Sequence, residues 1–183
     1  MPTHWAVVPT CLPRVVRRCH ACTGNRFRTT GKFRVNANHK LLDAWLLALC
    51  EGCGDTTKLT VFERTHVRSV RQELLDRLHH NDPRLAAQVL QDGTVLRRNR
   101  IALDWDGAWR LDTGPPQHRD PAACVDVRVR FAARIPVRPV RLVAEGLALP
   151  RAEVERLLVA GDLVSTVPLH ARRASDFAFT LRR

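Results

Sequence analysis

Cys19-His20-Ala21-Cys22 and Cys50-Glu51-Gly52-Cys53 are the two stretches on which the reading of this chain turns. Each is a C-x-x-C, and the second runs straight into Gly54. Two thiolates at this spacing close a tight turn with both sulfurs on one side. Two such turns supply four ligands for a closed, tetrahedral metal site. The spacing predicts one structural zinc ion on Cys19, Cys22, Cys50 and Cys53; four thiolates also suit iron. His20, inside the first knuckle, is of a type that can replace a cysteine ligand. A disulfide framework needs an oxidising compartment, and nothing at the start of the chain resembles a leader. A redox C-x-x-C opens a helix, whereas the glycines at 24, 52 and 54 favour turns. A catalytic zinc keeps a coordination position open, and four cysteines leave none.

The flanking residues alternate. Arg26 to Thr30 reads as a strand, Gly31 as a turn, and Lys32 to Val35 as a second strand. Leu41 to Leu49 reads as a buried strand and Thr57 to Arg64 as another. Residues 1–18 carry Pro2, Pro9 and Pro13, so they are expected to be extended, with Trp5 packed on the strands. The outline predicts a zinc ribbon over residues 1–69. So small a domain buries little apolar area, and metal binding becomes folding energy.

From residue 70 the period changes. Val70, Leu74, Leu75 and Leu78 are helically spaced, Asp82-Pro83 is an N-cap followed by a first-turn proline, and Leu85, Val89 and Leu90 continue the stripe toward Leu96, with Gly93 interrupting it. A helical hairpin spacer is expected over 70–100. Asp106-Gly107 signals a β-hairpin with Trp105 and Trp109 as cross-strand core partners, the alternative being stacking platforms for bases. A loop from Gly114 to Pro121 and a strand from Val125 to Phe131 follow. The fold class expected is α+β: a four-cysteine zinc ribbon, a helical hairpin, and a small α+β domain over 101–183. Cys11 and Cys124 are spare thiols.

Hydrophobic residues make up 45% of the 183, enough for a core. No apolar run reaches the roughly 18 residues of a membrane span, so no membrane role is expected and the expected location is cytoplasmic. Net charge is +12. Residues 1–70 hold 11 basic and 4 acidic side chains, residues 71–130 hold 10 and 9, and residues 131–183 hold 9 and 5. Two basic ends about a neutral middle suit a polyanionic partner. Apart from Lys32, Lys40 and Lys58 the basic residues are arginines, which suit phosphate contact and also follow from a GC-rich genome.

Two resemblances bear on this. Residues Arg141 to Leu163 read as a helix, a break at Gly146–Pro150, a second helix to Ala160, then Gly161 before a strand. This resembles the S4 RNA-binding fold: Gly146-Leu147 and Pro150-Arg151 fall in the register of its GLxxSR motif, and Gly161 at its glycine. The family's opening Arg-Leu-Asp is replaced by Val137-Arg138-Pro139, and its Val-Asn-Gly is absent. The resemblance implies RNA binding through Arg151 and Arg156, with Arg138 or Arg141 nearby. Residues 5–100 are similar to a bacterial family known only as a domain of unknown function, number ten sixty-two. That similarity rests on the first C-x-x-C, Gly31 to Asn38, Leu42-Asp43, Trp45-Leu46, the second C-x-x-C, Glu63-Arg64 and Asn81-Asp82-Pro83. It implies relatives without implying an activity.

Enzymatic motifs such as H-E-x-x-H, H-x-E and G-x-S-x-G do not occur, so a non-enzymatic role is expected. The leading expectation is an RNA-binding protein acting on ribosomal or transfer RNA, or on the ribosome. Arg26, Arg28, Lys32, Arg34 and Lys40 would contact backbone at one end, and Arg138, Arg141, Arg151, Arg156, Arg172 and Arg173 at the other. The competing expectation is a protein-interaction adaptor that binds no nucleic acid.

Overall fold

The computed structural model describes residues 2–115 and 124–182. The loop expected from Gly114 to Pro121 therefore lies mostly outside the described residues. The chain is a mixed α+β protein of two sheets and five α-helices among the described residues. It divides into two compact units, one contiguous over Leu12–Asp106 and one split between Met1–Cys11 and Gly107–Arg183. Three consecutive segments at 1–69, 70–100 and 101–183 were expected; two nested ones are found.

The contiguous unit contains β2 (Arg14–Val16), β3 (Arg26–Asn38), β4 (Leu41–Cys50), β5 (Thr56–His66), α1 (Gln72–His79), α2 (Pro83–Gln91), α3 (Gly93–Asn99) and β6 (Ala102–Asp104). Its strands lie in the order β5-β4-β3-β2-β6. In β4 every second residue from Leu42 to Cys50 is buried, and the alternate ones are half-buried. From Ala44 to Cys50 that row joins Phe27 and Leu59 in one core with Leu78, Leu85, Ala86, Val89, Leu90 and Val95 of the helices. The helices are therefore not a hairpin spacer. There are three of them, and they cover one face of the sheet. Gly93, expected to interrupt a helix, instead opens α3, where the Asp92 carboxylate accepts from the Thr94 and Val95 amides. Asp82 caps α2 in the same way and also accepts from Arg77 Nε at 2.6 Å.

Gly31 does not turn the chain either. β3 runs through it, with a register shift against β4 between Thr29 and Phe33. Gly31 has φ +79° in this bulge, and a Cβ added there would meet the Ala86 side chain at 3.8 Å. The bulge is held from the α1–α2 turn, where Asn81 (φ 52°) accepts the Phe33 amide at 2.7 Å. A second irregularity follows in β5, where Arg64 (φ 46°) donates its amide to Asp43 at 2.7 Å. The actual β3–β4 turn is His39-Lys40, one residue past Asn38. Asn81→Ala is expected to cost about 1–2 kcal/mol, from the lost acceptor and the left-handed backbone. Asn81→Gly keeps the backbone and should cost less; equal losses in denaturant melts would refute the backbone part of this account.

The split unit contains β1 (Thr3–Pro9), β7 (Trp109–Asp112), β8 (Val125–Phe131), α4 (Pro139–Leu147), α5 (Arg151–Ala160), β9 (Leu163–Ser165) and β10 (Phe177–Leu181). Its sheet runs β7-β1-β8-β10-β9, with β1 and β8 parallel. Trp5 therefore does not pack on the cysteine strands. It is buried in the split unit, edge-on to Phe179 with ring centroids 5.3 Å apart. The hairpin expected around Asp106-Gly107 is absent. β6 pairs with β2 in one sheet and β7 with β1 in the other. Trp105, at the end of the contiguous unit's span, is buried, whereas Trp109 is half-buried in the split unit under the Arg141 guanidinium, 5.0 Å from the ring centroid.

Candidate metal centre and basic sheet face

The two knuckles are built alike. In each, the amide of the first cysteine donates to the carbonyl five residues on: Cys19 to Gly24 and Cys50 to Asp55, both at 2.8 Å. Gly54 closes the second turn at φ +76°, with its amide on the Cys50 carbonyl. β3 and β4 bring the turns together, because Phe27 pairs with Cys50 and the Glu51 amide donates to the Arg26 carbonyl. The ligand atoms of Cys19, Cys22, Cys50 and Cys53 all lie within 4.8 Å of one another.

These distances fit a metal. Zinc–sulfur bonds of about 2.3 Å in a tetrahedron give sulfur–sulfur edges of about 3.8 Å. The Cys19–Cys53 and Cys22–Cys50 separations are 3.8 Å and 3.6 Å. The Gly24 amide points at Cys22 Sγ from 3.3 Å, the type of donor that stabilises a ligating thiolate. The amides of Cys53 and Gly52 pull the Cys50 thiol down to about 7. At Cys53 the downward pull of the Asp55 amide is outweighed by Cys22, by burial and by Cys50, which push the thiol up to about 12. Four thiols this close resist joint ionisation, and a bound cation removes that resistance. Cys19 and Cys50 are buried, and Cys53 is exposed. Four thiolates and no carboxylate are the chemistry of a closed structural site.

Glycine is required at the first turn by the sulfurs themselves. A Cβ on Gly24 would stand 3.2 Å from Cys22 Sγ and 3.3 Å from Cys50 Sγ. Sulfurs pinned by an ion cannot give way. Gly24→Ala is expected to weaken metal binding on the order of tenfold or more, measured by competition with a chromophoric chelator. Unchanged affinity would show that the ligating sulfurs have room to shift away from the added carbon.

The basic residues expected to bind backbone are distributed unevenly. Arg28, Lys32, Arg34 and Lys40 are exposed on β3 and its turn, and among the described residues no carboxylate is paired with them. Arg26 faces Asp104 at 3.3 Å. In the split unit, Arg151 is paired with Glu155 at 3.2 Å, and Arg156 takes both oxygens of Glu153. Arg138 and Arg172 are exposed, and Arg173 is half-buried, joined to Val137 through backbone bonds in both directions. Arg141 stacks on Trp109. Sequence reasoning did not single out Lys58, whose ammonium lies 4.9 Å from the Trp45 ring centroid. Its place on a strand of alternating residues was the available signal.

No helix among the described residues is long and apolar enough to cross a membrane. Residues 35–168 match the model of a family described as "Protein of unknown function (DUF1062)". The match takes in the second knuckle, all five α-helices and β9, and begins after the first knuckle. No curated protein and no solved structure matches the chain.

Proposed function

Because the chain belongs to DUF1062, a family of proteins of unknown function, we propose a function from its own residues: a non-enzymatic RNA-binding protein built on one structural zinc ion, with ribosomal or transfer RNA as its target. The observation that carries this reading is the row of unpaired cations on β3, Arg28, Lys32 and Arg34, continued by Lys40. A strand offers such charges at a regular spacing, and the metal and the helices brace it from one end and one face. Arginine supplies planar, bidentate donors for phosphate. The S4-like reading of residues 137–167 is supported by the order α4, α5, Gly161 at φ +79° and β9. Its two helix arginines are engaged by Glu155 and Glu153, so the main RNA contact is assigned to β3.

Crosslinking in the native cell followed by sequencing tests the target. Enrichment of one ribosomal or transfer RNA segment is expected. With four phosphate contacts, affinity of the purified chain for that segment should fall about fiftyfold between roughly 50 and 200 mM salt. Background RNA alone, with a protein recovered in equal amount, would replace this reading with the adaptor.

A further inference from the structure

The sheet of the contiguous unit has a second face. The helices cover the row of Ala44, Leu46 and Ala48, and the alternate residues of β4, Trp45, Leu47 and Leu49, do not belong to that core. They are half-buried on the opposite side of the central strand. Cations flank them on both neighbouring strands. Arg34 is directly across from Trp45 and Arg28 from Leu49 on β3, and Lys58 is across from Leu47 on β5. Lys58 reaches diagonally over the Trp45 ring, 4.9 Å from its centroid. Uncharged Thr56 and Thr60 complete the β5 side. The one carboxylate in this register, Asp43, accepts the Arg64 amide beyond Trp45.

We infer that this face is a stacking platform for single-stranded RNA, in which a base lies on Trp45 and the flanking phosphates meet Arg34, Arg28 and Lys58. The inference rests on the RNA-binding reading and adds the form of RNA and the residue that engages a base. Charge complementarity selects the occupant. An apolar protein surface would bury these three cations without partners, whereas a single strand brings a π-face for the ring and an anion for each cation. A duplex keeps its bases inside and presents only its backbone and groove edges. In the free protein the Lys58 ammonium occupies the ring. When a base takes its place, the flexible lysine stem moves the charge to a neighbouring phosphate. Stacking is tolerant of sequence, so specificity is expected from the surroundings and not from Trp45.

The test uses the full zinc-loaded chain and three labelled probes: an oligouridine of about 12 nucleotides, the same length without bases, and an RNA duplex. Trp45→Ala is expected to weaken oligouridine binding by about 5- to 150-fold and to leave duplex binding and the salt slope unchanged. Trp45→Phe should restore most of the loss. Independently of any variant, 5-iodouridine in the strand should crosslink to the wild-type peptide Leu41–Cys50. If Trp45→Ala binds oligouridine like wild type, or the abasic strand binds equally well, or the crosslink maps elsewhere, the platform is refuted while RNA binding stands. If wild type binds none of the three probes, both readings fall together.

Discussion

Replacing Cys50 by serine is expected to abolish stoichiometric metal binding and to lower the melting temperature of the contiguous unit by roughly 15 °C or more. A metal present at about a thousandfold its dissociation constant adds about 4 kcal/mol to the folded state. In a unit of this size each kcal/mol moves the midpoint by about 4–8 °C. Cys50 also ends the buried row of β4 at 3% exposure, next to Phe27, so the damage spreads from the knuckle into the core. Elemental analysis should find one metal ion per wild-type chain and none in the variant. Chelator-stripped wild type should melt near the variant, and Cys11→Ser, at an exposed thiol, should behave like wild type. Wild type that contains no metal and melts with Cys50→Ser would refute the metal site.

Gly146→Ala is the second large effect, and it acts in the other unit. A Cβ at this position of α4 would be driven into the six-membered ring of Trp5. That ring cannot retreat, because Trp5 is 1% exposed and wedged against Phe179. Among the described residues its buried indole N–H has no hydrogen-bond partner. Overpacking of this kind costs about 3 kcal/mol. Trp5→Leu alone should also destabilise, by leaving a cavity. Together the two changes should cost clearly less than their sum, because each relieves the other's misfit. Strict additivity in chemical denaturation would show that the residues do not share the space.

The legible features were the local ones. The metal ligands could be read because two short turns, each bonded to itself, hold their sulfurs wherever the strands carry them. Asp82-Pro83 was legible for the same reason: its carboxylate caps amides two and three residues away. Misreadings came where a local signal has two outcomes and a distant residue decides. Gly31 at positive φ serves a turn or a bulge equally well, and the hydrogen bond that holds the bulge comes from Asn81. Asp106-Gly107 does form a turn, but the partners of the flanking strands are β2 and β1, nearly a hundred residues earlier. Trp5 could not be placed because its neighbours, Gly146 and Phe179, lie near the far end of the chain. At the candidate RNA face, the cations of β3 were visible by type. Their freedom from carboxylates depends on tertiary structure, as does the pairing that neutralises Arg151 and Arg156.

The nested order of the chain sets a schedule for its synthesis. β1 leaves the ribosome well before its partners β7 and β8, which are made only after the whole of Leu12–Asp106 has followed. For that interval the apolar side chains Trp5 and Val7 have no sheet to enter. The inserted unit has every strand partner within its own span, so it can complete itself while the first strand waits. As it does so, Arg14 pairs with Asp104, and the two points where the chain leaves the insertion become strand neighbours. Loop closure that would otherwise span about a hundred residues is then already made when β7 arrives beside β1. Capture of a metal ion by four cysteines would in this way promote assembly of a sheet that contains none of them. Cells starved of that metal should accumulate chains that are protease-sensitive in both units.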